Sequence, residues 1–186
     1  MFLCLDFETN GLLKNVDMPS LQPGITEIGA IKLDPLYWDE CSEFSMVVNP
    51  EQELDEEALK ISKIPREEIL AAPTLPEVFF DFASFCVGCT HLFAFNGMFD
   101  LEVLDWQMKR YSLQYRFPHP PIYTDIMKIS KDFANIQGKQ DIKYPKLTEL
   151  YQILFGKEYS SAHRALSDAR ATGECARELH KKGILL

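Results

Sequence analysis

Met1-Phe2-Leu3-Cys4-Leu5-Asp6-Phe7-Glu8-Thr9-Asn10-Gly11 begins as a short apolar run and ends in a turn-prone Thr-Asn-Gly. Residues 1 to 6 read as a buried strand. Asp6 and Glu8 stand two apart at its end, and side chains at i and i+2 of a strand point to one face. Two carboxylates held side by side repel each other unless a cation lies between them. Hard divalent cations such as Mg²⁺ take oxygen ligands of this kind. Taken alone, such a pair is more often an ordinary solvated strand end, because Asp and Glu are common surface residues.

Outward from this strand, residues 12 to 24 carry Asn15, Asp17, Pro19, Pro23 and Gly24 and read as a loop. Strands are expected at Ile25 to Leu33 and Glu43 to Val48, close enough in sequence to form a hairpin. Glu53 to Ile64 and Arg66 to Ala71 read as short helices, the second opening after Pro65. Leu75 to Val87 has helical apolar spacing. His91 to Phe95 is a fourth strand, followed by a helix from Gly97 to Arg110 with Asn96 as its cap. A proline-stiffened loop leads to a fifth strand at Ile122 to Ile126. Helices at about 146–154 and 165–181 follow, with Gly183 as a stop. Three strands and then alternating helices and strands predict an α/β domain with a mixed sheet covered by helices. Strand order does not follow from the pattern.

The 186 residues suit one domain, taken here as 1–186. Apolar residues make up 46% and charged residues 25%, the ordinary globular mixture. The net charge of −9 argues against wide electrostatic wrapping of duplex DNA, but not against a small site that holds phosphates through metal ions. The first residues lack the basic segment of a signal peptide, and no stretch of 18 apolar residues suggests a membrane span. Five scattered cysteines fit reduced thiols, so a cytoplasmic location is expected. Cys86 and Cys89 form a CxxC without a second pair, which favours packing over zinc.

Two further segments carry chemistry. Asp100, in Phe95-Asn96-Gly97-Met98-Phe99-Asp100, follows a strand and lies in the first turn of a helix. Acids there are often dipole partners, yet ligand sites in open α/β sheets gather at the carboxyl ends of strands. The second segment is His163-Arg164-Ala165-Leu166-Ser167-Asp168. On one continuous helix His163 and Asp168 would stand roughly 140° apart. The offset works if His163 lies in a loop before the helix and Asp168 one turn inside it. A loop histidine that titrates near neutral pH suits a general base.

In order, the segments read D-x-E, N-x-x-F-D and H-x-A-x-x-D-x-x-A. This resembles the DEDDh exonucleases, the DnaQ-like family that includes proofreading subunits of bacterial polymerases. The likeness runs from Phe2 to about Leu179. Ile25 to Ala30 also resembles the family's second strand, and Thr124-Asp125 its fifth. The resemblance implies a ribonuclease-H-like fold with a five-stranded mixed sheet. It implies two divalent ions, Mg²⁺ or Mn²⁺, on Asp6, Glu8, Asp100 and Asp168, with His163 as the base. It also implies a 3′→5′ exonuclease that releases 5′-mononucleotides from single-stranded or frayed DNA. An RNA exonuclease of the same family is the alternative, and a catalytically silent polymerase-docking module is a more distant one. Thr9, Asn10, Ile64 and Asn96 are the implied substrate contacts. The sister subfamily carries Tyr where this chain has Arg164, so the histidine branch fits. Ser62-Lys63-Ile64 replaces the family's His-Gly-Ile, and Phe95 replaces its usual His before the motif Asn. No segment like the epsilon subunit's polymerase-binding tail is expected after the core.

Overall fold

The computed structural model describes residues 1–113, 117–159 and 163–185. Its five-stranded sheet has the order β3-β2-β1-β4-β5, with β1 at Phe2–Thr9, β2 at Ile25–Leu33, β3 at Glu40–Val47, β4 at His91–Ala94 and β5 at Ile122–Asp125. β1, β2 and β3 are antiparallel neighbours, whereas β4 and β5 run parallel to β1. The sheet is therefore mixed and ribonuclease-H-like. The carboxyl ends of β1, β4 and β5 share one edge.

Alternation along β1 divides the core. Leu3, Leu5 and Phe7 face α3 (Leu75–Cys86) and α4 (Met98–Arg110), where Phe79, Phe82, Val103 and Leu104 bury them. Cys4 faces the other layer, formed by α7 (Leu147–Phe155) and α8 (Ala165–Lys181). Strand periodicity puts Asp6 and Glu8 on the face of Cys4, so the α8 layer turns acidic at the end of β1. There α8 lies almost on the backbone of β2. A Cβ on Gly29 would stand 2.0 Å from both the carbonyl carbon of Ala165 and the amide nitrogen of Leu166.

β1 continues to Thr9, beyond the expected end at Asp6, because Asp6 and Glu8 still pair with Gly29 and Glu27 of β2. β3 starts at Glu40 rather than Glu43. It is an edge strand with exposed polar residues, so its beginning has no apolar signal. The first expected helix shortens to α1 (Glu56–Ser62), because Asp55 caps it by accepting from the amides of Glu57 and Ala58. α2 spans Arg66–Ala71 as expected. Asn96 does not cap α4. The cap position is Gly97, and Asn96 adopts φ 59° while its amide donates to Asp125 at 3.1 Å. Two one-turn helices, α5 (Ile126–Ile129) and α6 (Lys131–Ala134), are too short to show a helical period.

Gly29→Ala forces α8 away from β2. Overpacking of this kind costs about 2 kcal/mol or more, a fall in Tm of roughly 4–8 °C for a domain of this size. Thermal melts check it; an unchanged Tm would mean that the close approach is not needed.

Candidate active site

Three elements bring acids to the shared sheet edge. One carboxylate oxygen from each of Asp6, Glu8 and Asp168 lies within 4.8 Å of the other two. Asp168 sits in the first turn of α8. Asp100 comes from the first turn of α4 and is buried, at 5% exposure. Its position has a backbone cause. The β1–β4 ladder ends at the Cys4–Phe93 pair, so the Phe7 amide has no strand partner on that side. The Asp100 carboxylate accepts from it at 3.2 Å.

This crowding perturbs all four acids. Burial, then Asp100, Asp168 and Glu8, hold the Asp6 carboxyl well above its ordinary range. Burial followed by Asp168 and Glu27 pushes Glu8 up to about 8. Burial pushes Asp100 up to about 7, against the pull of the Phe7 amide. Asp168 is also raised by burial, although Tyr159 and the His163 amide pull it down. Oxygen donors gathered under mutual repulsion fit a hard divalent cation, whose charge would remove the penalty. Asp6, Glu8 and Asp168 would hold such an ion, with Asp100 beside them.

His163 lies outside α8, just before its cap residue Arg164, with an exposed side chain and φ 72°. Histidine is among the residues that tolerate this left-handed conformation. Its amide donates to both Asp168 oxygens at 3.3 Å. The expected loop is thus present at His163; Ser160 and Ser161, whose residue type favours a loop there, lie outside the described residues.

The expected substrate contacts are placed unevenly. Thr9 Oγ1 donates to the Gly11 carbonyl at 2.7 Å and closes the turn after β1. The Asn10 side chain accepts from the Gly24 amide at 2.7 Å and donates to the Glu53 carbonyl at 2.9 Å, which ties loops together. Ile64 does not reach the cleft. Its side chain is buried with Leu54 and Ile69 in a small satellite core, because the β3–α2 excursion needs its own apolar centre. Asn96 supports the start of α4 and so the placement of Asp100. Cys86 and Cys89 are buried, and burial pushes the Cys86 thiol up to about 12, which suits packing.

Three residues act here without a clear sequence signal. Glu27, 1% exposed on β2, accepts from Arg164 at 2.7 and 3.1 Å and from the Ala165 amide at 2.9 Å, pinning the start of α8. An acid inside an apolar strand run is the clue that could have marked it. The Tyr159 hydroxyl donates to Asp168. Asp125 accepts from the amides of Asn96, Met127 and Lys128 and so joins the ends of β4 and β5.

A mixed sheet with acids at its parallel strand ends, and a histidine on the loop before the last helix, defines a ribonuclease-H-like nuclease. The exonuclease family model RNase_T matches residues 3–175. The chain belongs to that exonuclease family. Curated relatives include a Mycobacterium tuberculosis protein named as a bifunctional exonuclease/endonuclease, 28% identical over 92% of this chain and 25% of its own length. The DNA polymerase III subunit epsilon of Treponema pallidum is 28% identical over 93% of this chain and 73% of its own. PolC-type DNA polymerase III of Staphylococcus aureus is 24% identical over 99% of this chain, which spans only 12% of that protein. Among solved structures, the DEDDh nuclease domain of 3′hExo bound to rAMP superposes with a TM-score of 0.74 at 20% identity, covering 100% of this chain and 94% of that one. Exonuclease I of E. coli with a dT13 oligonucleotide gives 0.72 at 22% identity, covering 96% and 40%. Among the described residues no helix is long and apolar enough to cross a membrane.

Raised carboxyl pKa values mean that the folded protein holds more protons than the unfolded chain between about pH 5 and pH 8, the window set by Glu8 and Asp100. Metal-free stability therefore falls as pH rises through that window. Melts in EDTA should show a lower Tm at pH 8 than at pH 5.5, and Mn²⁺ should raise Tm more at pH 8. A metal-free Tm that climbs with pH across this range would contradict the arrangement.

Proposed function

We propose that residues 1–186 form one exonuclease domain that hydrolyses the 3′-terminal phosphodiester of single-stranded or frayed DNA and releases 5′-mononucleotides. The observation that carries this reading is the meeting of Asp6, Glu8 and Asp168, with Asp100 beside them and His163 on a tethered loop. Asp6, Glu8, Asp100 and Asp168 would hold two divalent ions, Mg²⁺ or Mn²⁺. Such ions, when bound, supply charge stabilisation for the entering and leaving oxygens and acidify the attacking water. His163 takes the proton from that water. The Asp168 contact with its backbone holds the loop without using the ring, which is left exposed for this step. The backbone at Thr9 and Asn10 borders the terminal nucleotide.

Two of the relatives are polymerase III components, which supports DNA and a polymerase as candidate partner. The likeness to the 3′hExo domain bound to rAMP supports an RNA 3′ end as the second reading. Labelled single-stranded DNA, duplex DNA and RNA, incubated with Mg²⁺ or Mn²⁺, separate the two. The DNA reading expects a ladder from the 3′ end that is fastest on single-stranded DNA and lost in EDTA. Faster RNA trimming reverses the assignment, and rapid cutting of circular single-stranded DNA rules out an exonuclease.

His163→Ala should lower single-turnover hydrolysis by roughly 10²–10⁴-fold, the usual worth of a positioned base, with oligonucleotide binding retained. His163→Gln should behave alike, because its amide cannot take up the proton. Near-native rates in His163→Ala, with His91, His119 and His180 variants as controls, would remove the residue from this role.

A further inference from the structure

A phosphate chain that reaches this cleft must cross a protein of net charge −9. Ions on the acids offset charge only at the reacting phosphate, so the upstream nucleotides need cations elsewhere. The two flanks of the cleft differ in this respect. On one flank an 850 Å³ cavity beside Asn10 is walled by Glu53, Asp55, Glu56 and Glu57. Its cations are Lys14 and Arg66, and Glu56 already holds Arg66 at 2.5 Å. That wall repels phosphates.

The other flank begins at Asp125. Residues 127–158 hold six lysines against four acids, within a chain whose acids outnumber its bases by nine. Lys128 is exposed on α5, and its ammonium lies 3.8 Å from the buried Asp125 carboxylate. Asp125 also binds the amide of Asn96, so Lys128 stands at the rim where the helix bearing Asp100 begins. One turn further on, the Lys131 ammonium lies 5.0 Å from the centre of the Tyr144 ring. Lys131 joins no ion pair among the described residues, and Tyr144 is 48% exposed. An exposed ring beside a cation is the element on which single-stranded nucleic acids stack without base preference.

We propose that Lys128, Lys131 and Tyr144 form the track that holds the nucleotides upstream of the one removed. The two ammonium groups meet successive phosphates, and a base stacks on Tyr144. This rests on the nuclease reading above. The track reads backbone charge and a π-face, so it accepts a DNA or an RNA strand.

The test uses a fluorescent oligonucleotide of about eight nucleotides, within the span of one single-strand site, in DNA and RNA arms. Binding is followed by anisotropy in Ca²⁺ across a salt series, and hydrolysis in Mg²⁺. The p-nitrophenyl ester of thymidine 5′-monophosphate serves as a substrate with no upstream nucleotide. Lys128→Gln/Lys131→Gln should weaken oligonucleotide binding at least tenfold. It should also flatten the log–log salt dependence by about 1.4, near 0.7 for each lost phosphate contact on a single strand. Tyr144→Ala should weaken binding about tenfold with little change in that slope. In both variants the ratio of oligonucleotide to ester kcat/KM should fall, whereas Lys182→Gln, at the far end of α8, should keep it. Binding and salt slope equal to the unmodified protein's would overturn the track. If the unmodified protein binds through these residues yet hydrolyses neither substrate, the track stands and the nuclease reading falls.

Discussion

The contact on which the site depends is the docking of α8 against β2. The buried Glu27 carboxylate takes the half-exposed Arg164 guanidinium and the Ala165 amide together, and Gly29 lets the helix start settle onto the strand. Glu27 places negative charge where the helix dipole favours it. A buried ion pair is not in itself a large source of stability, since desolvation offsets much of the attraction. Its value here is geometric. It fixes the first turn of α8, and that turn carries Asp168 to Asp6 and Glu8. The same carboxylate also adds to the field that raises Asp6 and Glu8, so the anchor of the helix increases the repulsion a cation relieves.

The remaining acid arrives by a different route. β1 outruns β4 by several residues, and the Phe7 amide donates to the Asp100 carboxylate in place of the next strand residue. Asp125 holds the bend at Asn96 from which α4 starts. The four acids therefore come from three separate pieces of backbone, β1, α4 and α8, each held by hydrogen bonds or core contacts. Strain held this way is common where a fold serves a site.

The legible parts of the sequence were those with a local cause. β2 is a mostly apolar run and α8 a long amphipathic stretch, and the limits expected for both match the observed ones. The acids and His163 were legible as spaced motifs. What escaped reading was set by distant partners or by lack of length. Glu27 meets Ala165 across 138 residues, and nothing near Glu27 announces that partner. Asn96 was read as a cap from its type, but Asp125 claims its amide and bends the chain left-handed. Ile64 was assigned to the cleft by analogy, although a satellite core needed its side chain. Single turns such as α5 and α6 leave no period to find.

The surrounding groups narrow the choice of proton acceptor. Tyr159 donates to Asp168, but burial and that same carboxylate raise its phenol far above neutral pH. It remains a donor, able to orient Asp168 but not to take up a proton. Arg164 occupies the position where the sister subfamily carries tyrosine, and its guanidinium is committed to Glu27. A carboxylate that held a cation would weaken that hold by accepting a proton. Histidine is the residue type that can be neutral at working pH and still accept a proton. The role proposed for His163 draws on that chemistry; its side chain is exposed while its own amide grips Asp168. Fixing the loop through the backbone leaves the ring unspent, so the proposed role of base is compatible with a position five residues before Asp168, outside the helix that carries it.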